Sequence, residues 1–289
     1  MRSLLFVPAD GGKKLDKAMA SGADAVIVDL EDSIAPESKA AARAPALAFL
    51  KEAVAQANRP RILVRINGLE TGLADDDLQA VVAGKPDAIL LPKAEGGASV
   101  IHLDAKLTAR EAMHGIAPGS IAIFALATET AKAMFAAGTY GGASARLKGL
   151  TWGAEDLSAE LGAAANRDKD GQWLDPYRLA RSLCLAGAAA AQVPPLDTVY
   201  VDYRNEAGLR RECEEAKRDG FTGKLAIHPA QVAVMNDVFS ASATEIAHAK
   251  AVVAAFAAKP GAGAVGIEGK MYDRPHLARA KALLASVKS

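Results

Sequence analysis

Eight short, unbroken apolar runs of β character, most of them separated by stretches long enough for a helix, constrain this chain more than any other feature. They are Leu4–Val7, Ala25–Asp29, Ile62–Ile66, Ala88–Leu91, Ile121–Leu126, Leu147–Thr151, Thr198–Val201 and Leu225–Ile227. A run that is apolar at successive positions must be covered on both faces, as in a parallel sheet flanked by helices. Several intervening stretches open near capping residues such as Asp75 and Ser99. Eight βα units in 289 residues predict a (β/α)8 TIM barrel. An open doubly wound sheet is the competing architecture. A barrel of ordinary size closes near Ala258, so residues 1–258 are expected to form it. Residues 259–289 then form a C-terminal extension: a Gly/Pro loop, a short segment over Gly266–Asp273 and a final helix from about Pro275 to Val287.

Formal net charge is zero, with 24% charged residues. That argues against nucleic acid or an anionic membrane as the main partner, since both need a surplus of Lys and Arg. The N-terminal run is stopped by Pro8 and Asp10 and is too short for a targeting segment. Cys184 and Cys213 lack metal or redox spacing, so both are expected reduced, in a cytoplasmic protein.

In such a barrel, reactive groups sit where strands end and loops begin at the C-terminal rim. Charged residues gather there. Asp29, Glu31 and Asp32 follow the second run, and Arg65 and Asn67 stand at the end of the third. Lys93 and Glu95 follow the fourth, Glu129 the fifth, Glu155 and Asp156 the sixth, and His228–Pro229 the eighth. Each alone reads equally well as a helix cap. As a set, they put carboxylates beside apolar strands, where an unpaired charge is costly. Arg65 supplies one counter-charge and a divalent cation would supply the rest. The five histidines are scattered, so the acids act without imidazole or thiolate ligands, which favours Mg²⁺ over Zn²⁺. Glu129 and Asp156 are the expected direct ligands, with Asp29 and Glu31 acting through metal-bound water. The small residues Gly153 and Ala154, with Glu155, leave backbone N–H groups free for a carboxylate, although a plain turn fits equally. Lys93 as a Schiff-base amine is disfavoured, because nearby acids would keep it charged.

These motifs resemble the citrate lyase β-subunit-like branch of the HpcH/HpaI aldolase superfamily. The matching stretches are Arg2–Ala9, Asp29–Asp32 with Lys39 and Arg43, Val64–Asn67, Leu91–Lys93, Glu129–Thr130 and Trp152–Leu157. Gly223–Lys224, Ile227–Pro229 with Gln231, and Gly269–Asp273 complete the series. They follow family order over nearly the whole chain. The resemblance implies a TIM barrel, usually a homotrimer, with Mg²⁺ on Glu129 and Asp156 and Arg65 facing a CoA thioester. It also implies that the C-terminal segment reaches a neighbouring subunit's site, where Asp273 transfers a proton. Read from the residues alone, Asp273 is a cap for the last helix. Thr128, Asn205 and Tyr272 depart from the family pattern and bear on substrate identity.

The implied activity is cleavage or formation of a 3-hydroxyacyl-CoA such as citryl-, malyl- or citramalyl-CoA, with acetyl-CoA and a 2-oxoacid as the other partners. Lys13 and Lys14, with Lys17, are candidates for the CoA phosphates, or else a solvated helix face. Ile227, His228 and Pro229 are candidates for bordering the pantetheine arm. A CoA-independent metal aldolase, a malyl-CoA thioesterase, and a subunit of a citrate lyase complex taking its acyl group from a carrier protein stay open as alternatives.

Overall fold

The computed structural model describes residues 1–288. Strands and helices alternate in the order β1 (Ser3–Pro8), α1 (Lys13–Met19), β2 (Ala25–Asp29), α2 (Lys39–Ala53), β3 (Arg61–Arg65), α3 (Ala74–Val81), β4 (Ala88–Leu91) and α4 (Gly97–Met113). The order continues with β5 (Ala122–Leu126), α5 (Ala131–Ala136), β6 (Leu147–Thr151), α6 (Ala154–Glu160), α7 (Asp175–Ala191), β7 (Leu196–Asp197), α8 (Glu206–Asp219), β8 (Gly223–Ala226) and α9 (Ala230–Phe239). All eight strands pair in parallel, in the spatial order β6-β5-β4-β3-β2-β1-β8-β7. A parallel bridge from Leu150 to Pro195 joins β6 to the segment leading into β7 and nearly closes the ring. This is the TIM barrel, and the open sheet is excluded.

Alternate residues of each strand point to opposite sides, and the core divides accordingly. Leu4, Ile27, Leu63, Leu90, Phe124 and Leu225 fill the barrel interior. Leu5, Val7, Val26, Val28, Val64 and Ile89 pack outward beneath the helices. This double burial is why the runs are apolar throughout. Gly149 shows how tight the interior is, since a Cβ there would lie 2.5 Å from the Phe124 ring.

The seventh strand departs from the sequence reading. It spans Leu196–Asp197, two residues before the apolar run Thr198–Val201. Its register partner opposite Asp197 is Lys224, and that buried ion pair, rather than an apolar run, marks the strand. Thr198 and Val199 leave the ladder and line the cavity at the barrel mouth instead.

Contacts divide the chain into two compact units, Met1–Phe239 and a second from Ser240 onward. The second contains α10 (Ala243–Ala257), a hairpin of β9 (Ala264–Ile267) and β10 (Lys270–Asp273), and α11 (Arg274–Lys288). Ser242 and Glu245 form a capping box at the start of α10. Val252, Phe256 and Val265 join Ala280 in its own small core. Among the described residues no helix is long and apolar enough to cross a membrane.

Candidate active site

At the C-terminal mouth of the barrel lies a cavity of about 410 Å³. Asp29, Arg65, Glu129 and Asp156 line it, with Gly153–Glu155 from the start of α6 and Ile227 from the loop after β8. Asp29 and Arg65 end their strands, Glu129 lies in the loop after β5, and Asp156 lies in the first turn of α6, all at the rim where this fold gathers its chemistry. Parallel register aligns the ends of β2 and β3, so Asp29 stands opposite Arg65.

Arg65 is gripped on three sides. Its Nε and Nη2 donate to the two oxygens of Asp29, both at 2.7 Å. Nη1 donates to Asp32 at 3.1 Å and lies 2.9 Å from Glu31 Oε2. The second contact is an ion pair without hydrogen-bond geometry. The guanidinium also sits 4.7 Å over the Phe6 ring. Burial pulls the Arg65 pKa down, but the hydrogen bond and charge of Asp29 outweigh it and lift the pKa above its usual value. Three of the five N–H protons go into these hydrogen bonds, so Nη1 and Nη2 each keep one.

The four candidate acids differ in how their oxygens are used. Asp29 is saturated: besides Arg65, it accepts from the backbone N–H groups of Glu31 and Ser33. Burial pushes its carboxyl up, yet Arg65 holds it below the usual range. Glu31 gives Oε1 to Lys93 Nζ at 2.6 Å and turns its buried Oε2 toward Arg65. Glu31 does not line the cavity. Glu129 gives only Oε2, to the Lys93 backbone N–H at 2.7 Å, and Asp156 gives only Oδ2, to Lys93 Nζ at 3.0 Å. Among the described residues no donor meets Glu129 Oε1 or Asp156 Oδ1.

Two carboxylates with one open oxygen each, facing one cavity, suit a hard cation that keeps several waters. The described residues hold no group of three His, Cys, Asp or Glu side chains arranged around a metal position. The charge state of Glu129 points the same way. Burial, with the nearby charges of Glu31 and Asp156, pushes it up to about 8. The Lys93 backbone N–H and the Lys93 charge offset this only in part. Gly153 makes room for the carboxyl, since a Cβ at that position would lie 2.6 Å from Glu129 Oε1.

Behind these acids a polar chain fixes the loop after β2. Lys39 Nζ donates to the carbonyls of Leu30 and Glu31 and to Asn67 Oδ1. Asn67 donates to Asp77, which Arg43 also holds. Lys13, Lys14, His228 and Pro229 are not among the residues of the cavity wall. Lys13 and Lys14 are exposed at the start of α1. His228 stacks on Tyr203 with ring centres 4.6 Å apart, and Pro229 follows it in an exposed turn. Asp273 belongs to the second unit. It accepts from the His276 backbone N–H at 3.4 Å, and its Oδ1 lies 2.5 Å from His276 Nδ1.

Sequence reasoning gave Lys93 no structural part, although it touches Glu31, Glu129 and Asp156. Its basic side chain among five acids was the available signal. Phe6 and Trp152 also line the cavity; in the sequence they fall within matching stretches but receive no role.

The fold and this acidic mouth define a class, the carbon–carbon bond enzymes built on TIM barrels. Residues 2–229 match the family model described as HpcH/HpaI aldolase/citrate lyase, and residues 181–288 match that of a C–C bond lyase of the TIM-barrel fold. The chain belongs to the HpcH/HpaI aldolase/citrate lyase family. A (3S)-malyl-CoA thioesterase of Cereibacter sphaeroides is 37% identical, over 100% of this chain and 95% of that protein. The citrate lyase subunit beta of Escherichia coli is 34% identical, over 98% and 92%. The crystal structure of CitE from Mycobacterium tuberculosis in complex with magnesium, acetoacetate and coenzyme A superposes with a TM-score of 0.77 at 34% identity, covering 100% of both chains.

Proposed function

We propose that this protein is a Mg²⁺-dependent lyase that cleaves or forms the carbon–carbon bond of a short 3-hydroxyacyl-CoA, with acetyl-CoA and a 2-oxoacid as the other partners. One observation carries the reading. Of the four candidate acids at the mouth, Glu129 and Asp156 alone combine an oxygen that meets no donor with a place in the cavity wall beside Arg65. Mg²⁺ held by those oxygens would act as a Lewis acid on the substrate's hydroxyl and carboxylate oxygens and lower the hydroxyl pKa.

The protein groups take the remaining tasks. Gly153, Ala154 and Glu155 open α6 without a side-chain cap, and their N–H groups would receive the substrate carboxylate. Arg65, held rigid by Asp29, would donate from Nη2 to the thioester oxygen as negative charge builds there during bond cleavage. Asp273 from a neighbouring subunit of a homotrimer would give the proton to the acetyl carbon, and take it in the reverse direction. Burial of the chemistry inside the mouth would keep water from the thioester.

Relatives named as (3S)-malyl-CoA thioesterases, at up to 37% identity, favour hydrolysis as a second reading. A single assay distinguishes them. Citryl-, malyl-, citramalyl- and methylmalyl-CoA are each supplied with and without Mg²⁺, and the products are quantified. Acetyl-CoA and a 2-oxoacid that depend on Mg²⁺ support the lyase. Free CoA without acetyl-CoA identifies a thioesterase. Failure of calorimetry to detect CoA binding, with turnover of a free 2-oxoacid aldol, would give the site to a metal aldolase.

A further inference from the structure

The two acids assigned to the ion are each restrained at one oxygen, and one residue restrains both. The Lys93 backbone N–H holds Glu129 Oε2 at 2.7 Å, and its ammonium holds Asp156 Oδ2 at 3.0 Å. Nζ is anchored in turn by Glu31 Oε1 at 2.6 Å. Lys93 follows directly on β4 with φ of +50°, a region that residues with a side chain seldom occupy. Its backbone and its side chain thereby serve two different carboxylates across the mouth.

The consequence concerns how many oxygens each acid can give. With Oδ2 engaged by an ammonium, Asp156 offers an ion only Oδ1, and Glu129 likewise offers only Oε1. Mg²⁺ takes single oxygens in a tight octahedron and keeps its waters, whereas Ca²⁺ accepts a larger shell and readily takes both oxygens of one carboxylate. We propose that Lys93 is a positioning residue that makes this site select Mg²⁺ over Ca²⁺, by denying the second oxygen of Asp156 to the ion. The proposal rests on the metal site argued above. The charge of Lys93 is a separate matter. Its loss makes the site more negative, which strengthens binding of both divalent ions alike. The ratio of the two affinities therefore isolates the geometric effect.

The test is calorimetric titration of the full chain with MgCl₂ and with CaCl₂, without substrate, for the wild type, Lys93→Met and Lys93→Arg. The Ca²⁺ to Mg²⁺ ratio of dissociation constants should fall at least about tenfold in Lys93→Met. Lys93→Arg keeps a donor on Oδ2 and should restore most of the wild-type ratio. Affinities that shift together, leaving the ratio unchanged, would reduce Lys93 to a charge and overturn the proposal, as would an Arg variant that behaves like Met. If Lys93→Met does not fold, Lys93→Gln, with a single neutral donor, takes its place and should give an intermediate ratio, and a wild-type ratio there overturns the proposal equally. A wild type that takes up neither ion would instead sink the metal site itself.

Discussion

Between strands β7 and β8 and helices α7 and α8, the barrel buries a second ionic cluster. Lys224 Nζ lies 2.8 Å from Asp197 and 2.7 Å from Glu212, with its side chain fully shielded. Arg181 pairs with Asp197 and Asp219, Arg167 pairs with Glu212, and the Trp152 indole donates to Asp197 at 2.8 Å. Three acids meet three cations, and no side-chain polar atom of these six residues is buried without a hydrogen bond. At the mouth, among the described residues, the side chains of Asp29, Glu31, Asp32, Glu129 and Asp156 meet two cations, Arg65 and Lys93. The first cluster is electrically closed. The second has a surplus of negative charge and open oxygens aimed at a cavity. Burial alone therefore does not mark a functional group. What separates architecture from chemistry here is whether the charges and lone pairs are already used.

The largest expected effect tests the closed side of that contrast. Lys224→Met strips the central cation and leaves Asp197 and Glu212 buried with fewer partners. Breaking a buried ionic network from one side costs about 3–5 kcal/mol, so urea unfolding should show a loss of that order. Turnover per folded molecule and Mg²⁺ affinity should hold. A loss under about 1 kcal/mol would rank the cluster with surface pairs and erase the distinction.

Arg65→Ala comes next, on the open side. Removing a donor to developing negative charge typically costs about 10²–10³ in turnover. The variant should also lose stability, because Asp29, 1% exposed, is left with an uncompensated charge. Arg65→Lys separates the two effects. It keeps a charge for Asp29 but loses the forked geometry, so stability should recover while turnover stays low. Near-normal turnover in either variant would take Arg65 out of the chemistry.

A smaller change probes the open oxygen directly. Gly153→Ala puts a Cβ 2.6 Å from Glu129 Oε1 and 2.8 Å from its Cγ. Gly153 has φ of −130°, so alanine strains no backbone and the clash falls on Glu129 alone. Mg²⁺ affinity should weaken about tenfold, with about 1–3 kcal/mol of stability lost to the overpacked wall. Unchanged affinity would show that Glu129 Oε1 is not a ligand.

The contrast also explains what was legible in the sequence. Strand runs are visible because both faces of each strand are apolar, and seven of the eight fall within two residues of the observed strands. β7 was misplaced because a buried Asp197 breaks the apolar signal, and its partner Lys224 is 27 residues away. The acids at the mouth were visible because strand ends are where a barrel holds its chemistry. Which of them keep a free oxygen was not, since that depends on hydrogen bonds spanning more than 30 residues, such as Lys93 with Glu31 and Asp156. In the sequence, Lys93 reads only as an amine that nearby acids keep charged. Its backbone bond to Glu129 follows from a positive φ that no residue pattern announces.

The smallest predicted effect opposes the two clusters over pH. A carboxyl whose pKa is raised by folding contributes most stability below its unfolded value, about 4.3 for Glu. That contribution is then lost as pH rises toward the folded value, which for Glu129 is about 8. Glu31, also raised through burial, acts in the same direction. Asp197 behaves in reverse. Burial pushes it up, but Lys224 and Arg181 outweigh this and hold it low. Its contribution is complete above an unfolded value of about 3.9 and disappears only as pH falls through the lower folded one. Between pH 6 and pH 8 the closed cluster is therefore constant and the open one is not. In EDTA, Tm should drop from pH 6 to pH 8 by a few degrees, since about 1 kcal/mol moves Tm by roughly 2–4 °C at this size. Saturating Mg²⁺ should remove the drop by supplying the charge that ionised Glu129 lacks, and Glu129→Gln should flatten it without the ion. A Tm in EDTA that is level or rises over that range would mean the mouth is as electrically closed as the cluster around Lys224.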